Sequence, residues 1–203
     1  MYVLDKFGYF ATVLRKNPSE LLRLVRIGLN TFQYRYLTRC AGEGTVIGTG
    51  TQIINSTNVH IGRNCLLQDS IYIRAGAQGK VIIADRVAIN SFCRLFGHGS
   101  IEIGEDTQLG PGTLITTTGH DYARDLEVSF QKVVIGRQVW VGANVTILPN
   151  VEIGDFAVIG AGAVVTKSIP ANSLAVGVPA RVIRRIERPQ EGLNACPKAF
   201  LSL

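Results

Sequence analysis

Several things are scarce in this chain, and each scarcity narrows what it can be. No run of 18 or more apolar residues occurs, so no transmembrane helix is expected. Aromatic residues make up only 7% of a chain that is 46% hydrophobic, which predicts an aliphatic interior. Four cysteines (Cys40, Cys65, Cys93, Cys196) form no CxxC pair and no dense framework. Free thiols in a reducing, cytoplasmic compartment follow from that usage. The opening segment MYVLDKFGYFATVLRKNP lacks a basic start, an uninterrupted apolar stretch and a small-residue cleavage site, so it reads as a poor signal peptide. Histidine is scarce: His60, His98 and His120 are the only three, no two closer than 22 residues.

Charge is also unevenly supplied. Of the net +6, residues 1–40 carry +5, from seven Lys/Arg against Asp5 and Glu20. Residues 41–203 carry +1, from fourteen Lys/Arg against thirteen Asp/Glu. A nucleic-acid binder carries its charge on the folded body with interleaved aromatics, so no nucleic-acid partner is expected.

What the chain does have is glycine, 22 of them, and a period. From Ile135 an aliphatic residue recurs every six positions: Ile135, Val141, Ile147, Ile153, Ile159, Val165. Most are followed at once by glycine, and a small or branched residue stands four positions on: Val139, Val145, Val151, Ala157, Ala163, Ile169. A period of six fits neither 3.6 nor a simple 2. It fits a short strand and a corner, three of which close a triangular coil that stacks on the next at the ~4.8 Å spacing of paired strands. Glycine at the corners suggests positive φ and close backbone approach. Upstream the inward ladder continues through Ile47 and Ile53; Ile61, Leu67 and Ile73; Ile83, Ile89 and Leu95; Ile103, Leu109 and Ile115. The extra residues fall after every third hexapeptide, which places all insertions on one edge of a three-sided prism. Insertions on one face of a solenoid commonly form its binding face.

The 203 residues therefore divide into a basic, helical extension (1–40), a repeat domain (41–186) with a long loop insertion at 116–134, and a short tail (187–203) expected to be loosely ordered. Residues 15–35 mix arginines with leucines. They predict either a cap on the open end of the repeat or an interfacial helix in peripheral contact with the inner face of a membrane.

The ladder, TTTGHDY (116–122), VVIGRQVWVGANVTILPNVEIG (133–154) and VIGAGAVVTKSIPANSLAVGVPARVIRRI (158–186) resemble the hexapeptide-repeat acyltransferases. The likeness is nearest to maltose, galactoside and colanic-acid O-acetyltransferases and covers roughly residues 45–186. It implies a left-handed parallel β-helix, an exception to the right-handed crossover rule. It also implies a homotrimer with sites between subunits and acetyl-CoA as co-substrate. By the same resemblance His120 is the base that takes the proton of an acceptor hydroxyl, work suited to an imidazole. Asn90 and, less directly, Asp69 contact the acceptor. His98 stands where related enzymes tend to carry an acidic residue, so it is a candidate acceptor contact that departs from the pattern. Asn90, His98 and His120 are expected in neighbouring layers of one stack.

For the co-substrate the resemblance places Trp140 in the coenzyme channel, with interface packing as the alternative for a lone outward tryptophan. Gly142 and Ala143 lie in the adjacent corner, where the Ala143 amide is a candidate oxyanion donor. Ala161 and Gly162 would let pantetheine approach the backbone. Thr166, Lys167, Arg181 and Arg184 would meet the nucleotide phosphates. Cys65 and Cys93 fall at small inward corners and are expected to be buried and inert, which argues against a covalent acyl carrier.

The function these residues imply is O-acetylation of a sugar or lipid-linked saccharide in surface polysaccharide or glycolipid assembly. Alternatives are N-acetylation of a nucleotide-linked amino sugar, a non-catalytic scaffold subunit, and a zinc enzyme of the γ-carbonic anhydrase kind. The last needs two ligands close together in one loop, and the histidine spacing does not supply them, so no metal is expected.

Overall fold

A computed structural model describes residues 18–121 and 125–187. The signal-peptide reading of the first residues, Tyr122 of the TTTGHDY segment and the tail from 188 onward lie outside the described residues.

The chain winds into a left-handed β-solenoid of about six turns with one N-terminal helix. Each turn contributes one short strand to each of three parallel sheets. In the first sheet the inward ladder is Ile47, Leu67, Ile89, Leu109, Val141, Ile159 and Ala175. In the second it is Ile53, Ile73, Leu95, Ile115, Ile147 and Val165. In the third it is Ile61, Ile83, Ile103, Ile135, Ile153 and Ile169. All are buried and join one continuous aliphatic core. Alternate residues of these strands point outward, and the four-residue strands send a second residue inward, as with Val81 beside Ile83.

Where no insertion intervenes, the small positions four after the ladder residues are buried too. Where they are polar they return a hydrogen bond to a corner carbonyl. The Thr45 hydroxyl donates to Gly62 O (2.7 Å) and that of Thr107 to Gly136 O (2.7 Å). Cys93 occupies an equivalent site, with Sγ 3.2 Å from Gly110 O.

The glycines directly after ladder residues serve close approach, while positive φ belongs to those two positions on, Gly44, Gly50, Gly112 and Gly162. A β-carbon at Gly104 would stand 2.5 Å from Gly136 C, and one at Gly110 the same distance from Gly142 C. Neither glycine has positive φ. The left-handed position comes two residues later and is mostly not glycine: Asn64, Arg86, Asp106, Gln138, Asn144 and Asn150 hold it, and asparagine and aspartate tolerate it best among residues with a side chain. At these glycines the stacked corners press backbone on backbone and leave no room for a methyl group.

All four long insertions leave the edge between the second and third sheets. The largest is a hairpin in which Thr118–Asp121 pairs antiparallel with Glu127–Phe130. On the edge between the third and first sheets the turns are tied by Arg63–Asp85, Arg86–Glu105, Arg86–Asp106 and Arg137–Asp155 ion pairs at 2.7–3.1 Å. Exposed pairs of this kind each contribute little.

Helix α1 (Pro18–Phe32) and the π-helical turn Gln33–Leu37 cover the open first turn. Strand groups there have no preceding turn to bond. Ile47 N–H donates to Thr31 Oγ1 (3.0 Å), Ile53 N–H donates to the Tyr34 hydroxyl (3.2 Å), and Asn30 Nδ2 donates to Gly48 O (2.8 Å). The segment is therefore a cap that satisfies a bare sheet edge. Its opposite side presents Leu22, Val25, Leu29, Phe32 and Tyr36, each 49–63% exposed, at the three- and four-residue spacing of one helix face. At the other end, Arg181–Arg185 turns back antiparallel on Ser173–Val176.

Candidate functional site

His120 sits on the hairpin, opposite Val128 and exposed to solvent. Its Nδ1 lies 3.1 Å from the carbonyl oxygen of Leu126. A carbonyl only accepts, so Nδ1 carries the proton and Nε2 presents its lone pair. This is the tautomer a general base requires, and it is set by the turn itself: Asp125 and Leu126 both hold positive φ (49° and 58°), which folds the Leu126 carbonyl back toward the imidazole. The orienting group is a backbone oxygen, which leaves no residue-type signal in the sequence.

His98 comes from the insertion one turn below. Its Nδ1 is 3.2 Å from Thr118 Oγ1, and its ring centroid is 6.0 Å from that of Phe130. His98 and the His120 hairpin are thus stacked on one edge. Thr166 and Lys167 stand two turns higher on the same edge, both exposed. His60 lies on the outer face of the third sheet in the first turn. Among the described residues no three His, Cys, Asp or Glu side chains cluster as metal ligands would.

A second column occupies the edge between the first and second sheets. It contains Asn90, then Gly142 and Ala143, then Ala161 and Gly162. Gly162 N–H donates to Ala143 O (2.8 Å), locking the upper two corners together. The amides of Ala143 and Ala161 have no acceptor among the described residues. Lower in the column the equivalent amides are occupied: Thr49 N–H donates to Asp69 Oδ1 (2.8 Å) and Ser91 N–H to Gln68 Oε1 (3.3 Å). Space above Gly162 is open; a β-carbon there would meet nothing within 4 Å. Trp140, 60% exposed, projects from the first sheet just before this corner.

The structure separates some residues that the sequence reading grouped. Asn90 is on the same edge as Ala143, one face away from His120, and its Nδ2 donates to Leu109 O (2.8 Å). Arg181 and Arg184 are exposed on the last strand of the first sheet, whereas Lys167 follows the last strand of the second. Asp69 has both oxygens engaged, Oδ1 by Thr49 N–H and Oγ1 (2.8 and 3.0 Å) and Oδ2 by Arg23 (3.0 Å). Burial alone would raise its pKa, but the hydrogen bonds from Arg23 and Thr49 outweigh that and hold it below the usual carboxylate value. Asp69 fastens α1 to the prism. Burial pushes the thiols of Cys40 and Cys65 up, and that of Cys93 to about 11.

Residues 132–167 match the family model described as bacterial transferase hexapeptide (six repeats). The Escherichia coli (strain K12) protein WbbJ, named as a lipopolysaccharide biosynthesis O-acetyl transferase, is 33% identical over 148 residues, 66% of this chain and 74% of that protein. The chain belongs to the hexapeptide-repeat acyltransferase family. Galactoside O-acetyltransferase of the same strain is 35% identical over 130 residues, and that match spans 62% of this chain but only 63% of the relative's length. Among solved structures, the N-acyltransferase AntD from Bacillus cereus, in complex with dTDP and coenzyme A, superposes with a TM-score of 0.67 at 26% identity, covering 73% of this chain and 83% of that one. A maltose O-acetyltransferase from Clostridium difficile 630 gives 0.53 at 29% identity, with 82% and 89% covered. Members of this family thus include both O- and N-acyl transfer enzymes, which the hairpin and the corner amides must be read against.

Proposed function

We propose that this chain transfers an acetyl group from acetyl-CoA to a sugar hydroxyl, in the cytoplasm, as a homotrimer. The observation that carries the reading is His120, its Nδ1 proton engaged by Leu126 O and its Nε2 left without a partner among the described residues. Nε2 takes the acceptor proton as the hydroxyl oxygen attacks the thioester carbonyl. The carbon–sulfur bond then breaks and the same proton passes to the coenzyme thiolate. The unpaired Ala143 amide fits an oxyanion donor. The open backbone at Ala161 and Gly162, exposed Trp140, and the cations Lys167, Arg181 and Arg184 with Thr166 fit a long anionic co-substrate. The buried, high-pKa cysteines fit direct transfer better than an acyl-enzyme. Coenzyme A bound in AntD supports the same co-substrate here. A hydroxyl acceptor, rather than the amine of an AntD-like substrate, is favoured by the O-acetyltransferase relatives.

A trimer is supported by the division of these groups. His120 leaves the second–third edge while Ala143 stands on the first–second edge, so a neighbouring copy is the natural source of the missing half. The test is to mix His120→Ala with Trp140→Ala subunits after dissociation and reassembly. Each variant alone should lose at least ~10² in turnover or co-substrate capture. Mixed trimers should recover activity at about a quarter of the sites if each site draws on two chains. No recovery from well-folded mixed trimers, or a fully active monomer, would refute the shared site.

The exposed apolar face of α1 is flanked by Arg26 and Arg35, which suits an anionic membrane surface in peripheral contact. Full-length protein should float with vesicles containing anionic lipid, and Leu22→Ser/Leu29→Ser should stay at the bottom of the gradient. Flotation unaffected by that double change would remove the helix from the interaction.

A further inference from the structure

We infer that the outer face of the second sheet, below the His120 hairpin, is an acceptor subsite for an acidic saccharide, one bearing a carboxylate or phosphate; this rests on the acetyl-transfer reading above. A cavity of about 550 Å³ lies on this face, lined by Gln52, Tyr72, Phe92, Arg94 and Phe96 among others. Register explains how it forms. Outward positions stack as Gln52–Tyr72–Arg94–Leu114 in one column and Ile54–Arg74–Phe96–Thr116 in the next. Aromatic and arginine therefore alternate between adjacent turns, and the Tyr72 and Phe96 rings meet at 5.5 Å with a 47° tilt. In a chain so poor in aromatics, three gather at this one cavity.

Phe92 adds an independent observation. It occupies the left-handed corner position (φ 64°) yet is 65% exposed. Phe156, the other phenylalanine in that position, is buried to 8% exposure with Arg137 over its ring. A bulky side chain in this conformation without a packing partner is out of place for stability alone, and it stands on the rim of the cavity.

The charge on the face is unbalanced. Arg74 and Arg94 have no hydrogen bond or ion pair among the described residues, whereas Arg23, Arg63, Arg86 and Arg137 are all matched by carboxylates. None of the outward strand residues from Gln52 to Thr166 on this sheet is acidic. Two unpaired guanidinium groups beside flat rings match a pyranose with an anionic substituent: the rings take its apolar face and an arginine takes the anion. The cavity ends at Phe96, whose carbonyl accepts Thr117 N–H (3.1 Å) and whose register partner Thr116 leads into the hairpin carrying His120. An acceptor held here extends toward the base.

Binding of methyl glucuronide, glucose 1-phosphate and methyl glucoside to the full chain, followed by ligand-observed NMR alongside coenzyme A, tests this. One or both anionic sugars should bind about tenfold or more tightly than the neutral one, the carboxylate and phosphate arms saying which anion is read. Arg94→Gln and Arg74→Gln should erase that preference, while Arg94→Lys should keep part of it. Coenzyme A binding with no preference for either anionic sugar overturns the subsite and leaves the acetyl-transfer reading standing. Failure to bind coenzyme A overturns both. Sugar binding unchanged in the arginine variants, with a changed oligomeric state instead, would make the face a contact between copies and overturn the subsite.

Discussion

Replacing Gly110 by alanine isolates the contribution of the corner amide. A β-carbon at Gly110 would lie 2.5 Å from Gly142 C and 2.7 Å from Ala143 N, where ordinary contact begins at 3.4 Å. The Gly142–Ala143 peptide must therefore retreat by about 0.9 Å, or the two turns must part by a similar amount. Overpacking of this size costs about 1–3 kcal/mol, which lowers Tm by about 2–12 °C in a domain of this length. The moved group is the candidate oxyanion donor, and a misplacement near 1 Å at a reacting centre costs about 10²-fold in rate.

Gly104→Ala is the matched control. Its β-carbon would meet Gly136 C at 2.5 Å and Arg137 N at 2.6 Å, the same clash on the third–first edge, where no candidate site residue stands. Differential scanning calorimetry should show similar losses in both variants. Steady-state acetyl transfer at a temperature where both are folded should fall about 10²-fold in Gly110→Ala and by far less in Gly104→Ala. Equal activity losses would show that the corners act only through stability, and would remove the Ala143 amide from the mechanism.

Asp69→Asn should keep the acceptor for Thr49 but drop the charge that holds Arg23, costing up to about 1 kcal/mol and speeding amide exchange in α1 ahead of the prism. Because the folded pKa is lowered, the stabilisation is complete above the unfolded carboxylate value near 4 and is lost as pH falls through the lower folded value; exchange in α1 that does not change between pH 6 and pH 3 would contradict this. Alkylation followed by peptide mapping at pH 8 should label Cys93 only at the rate of unfolding, since burial puts its thiol at about 11. Rapid labelling of Cys93 in the native protein would reopen the question of an acyl carrier.

The ladder was legible because each turn sends one aliphatic residue per strand inward, so a six-residue period survives in the sequence even where the insertions break it. The shared edge of the insertions was legible for the same reason, from the spacing between groups of three. The role of glycine was not: its cause is a backbone in the next turn, a contact 17 or more residues away that composition does not record. The separation of Asn90 from His120 was in principle readable. Asn90 follows a ladder residue of the first sheet and the hairpin follows one of the second, and counting hexapeptides in threes puts them on different edges. The aromatic and arginine face was readable in the same way, from the positions one before and one after each inward residue of the second sheet. The Leu126 carbonyl was not readable, since it depends on two positive φ angles in a turn without glycine.

In a solenoid, sequence distance fixes height and the count modulo three fixes the edge. Asn90, His120 and Ala143 belong to three consecutive turns, marked in the first sheet by Ile89, Leu109 and Val141. They are therefore level within two turn spacings, roughly 10 Å. What divides them is lateral, since a hexapeptide face is up to about 20 Å wide. No side chain bridges that width, and lengthening the hairpin would only loosen the base it carries. A rotation of a second prism about a parallel axis brings the two edges together without altering the repeat in either chain. The same geometry leaves the second-sheet face running between both columns in each copy. The acceptor subsite proposed there lies in the first three turns, with the hairpin above it on one edge. An acidic sugar anchored by Arg94 and extending toward the hairpin of its own copy would then meet the thioester where the neighbouring copy's corner edge closes on that hairpin.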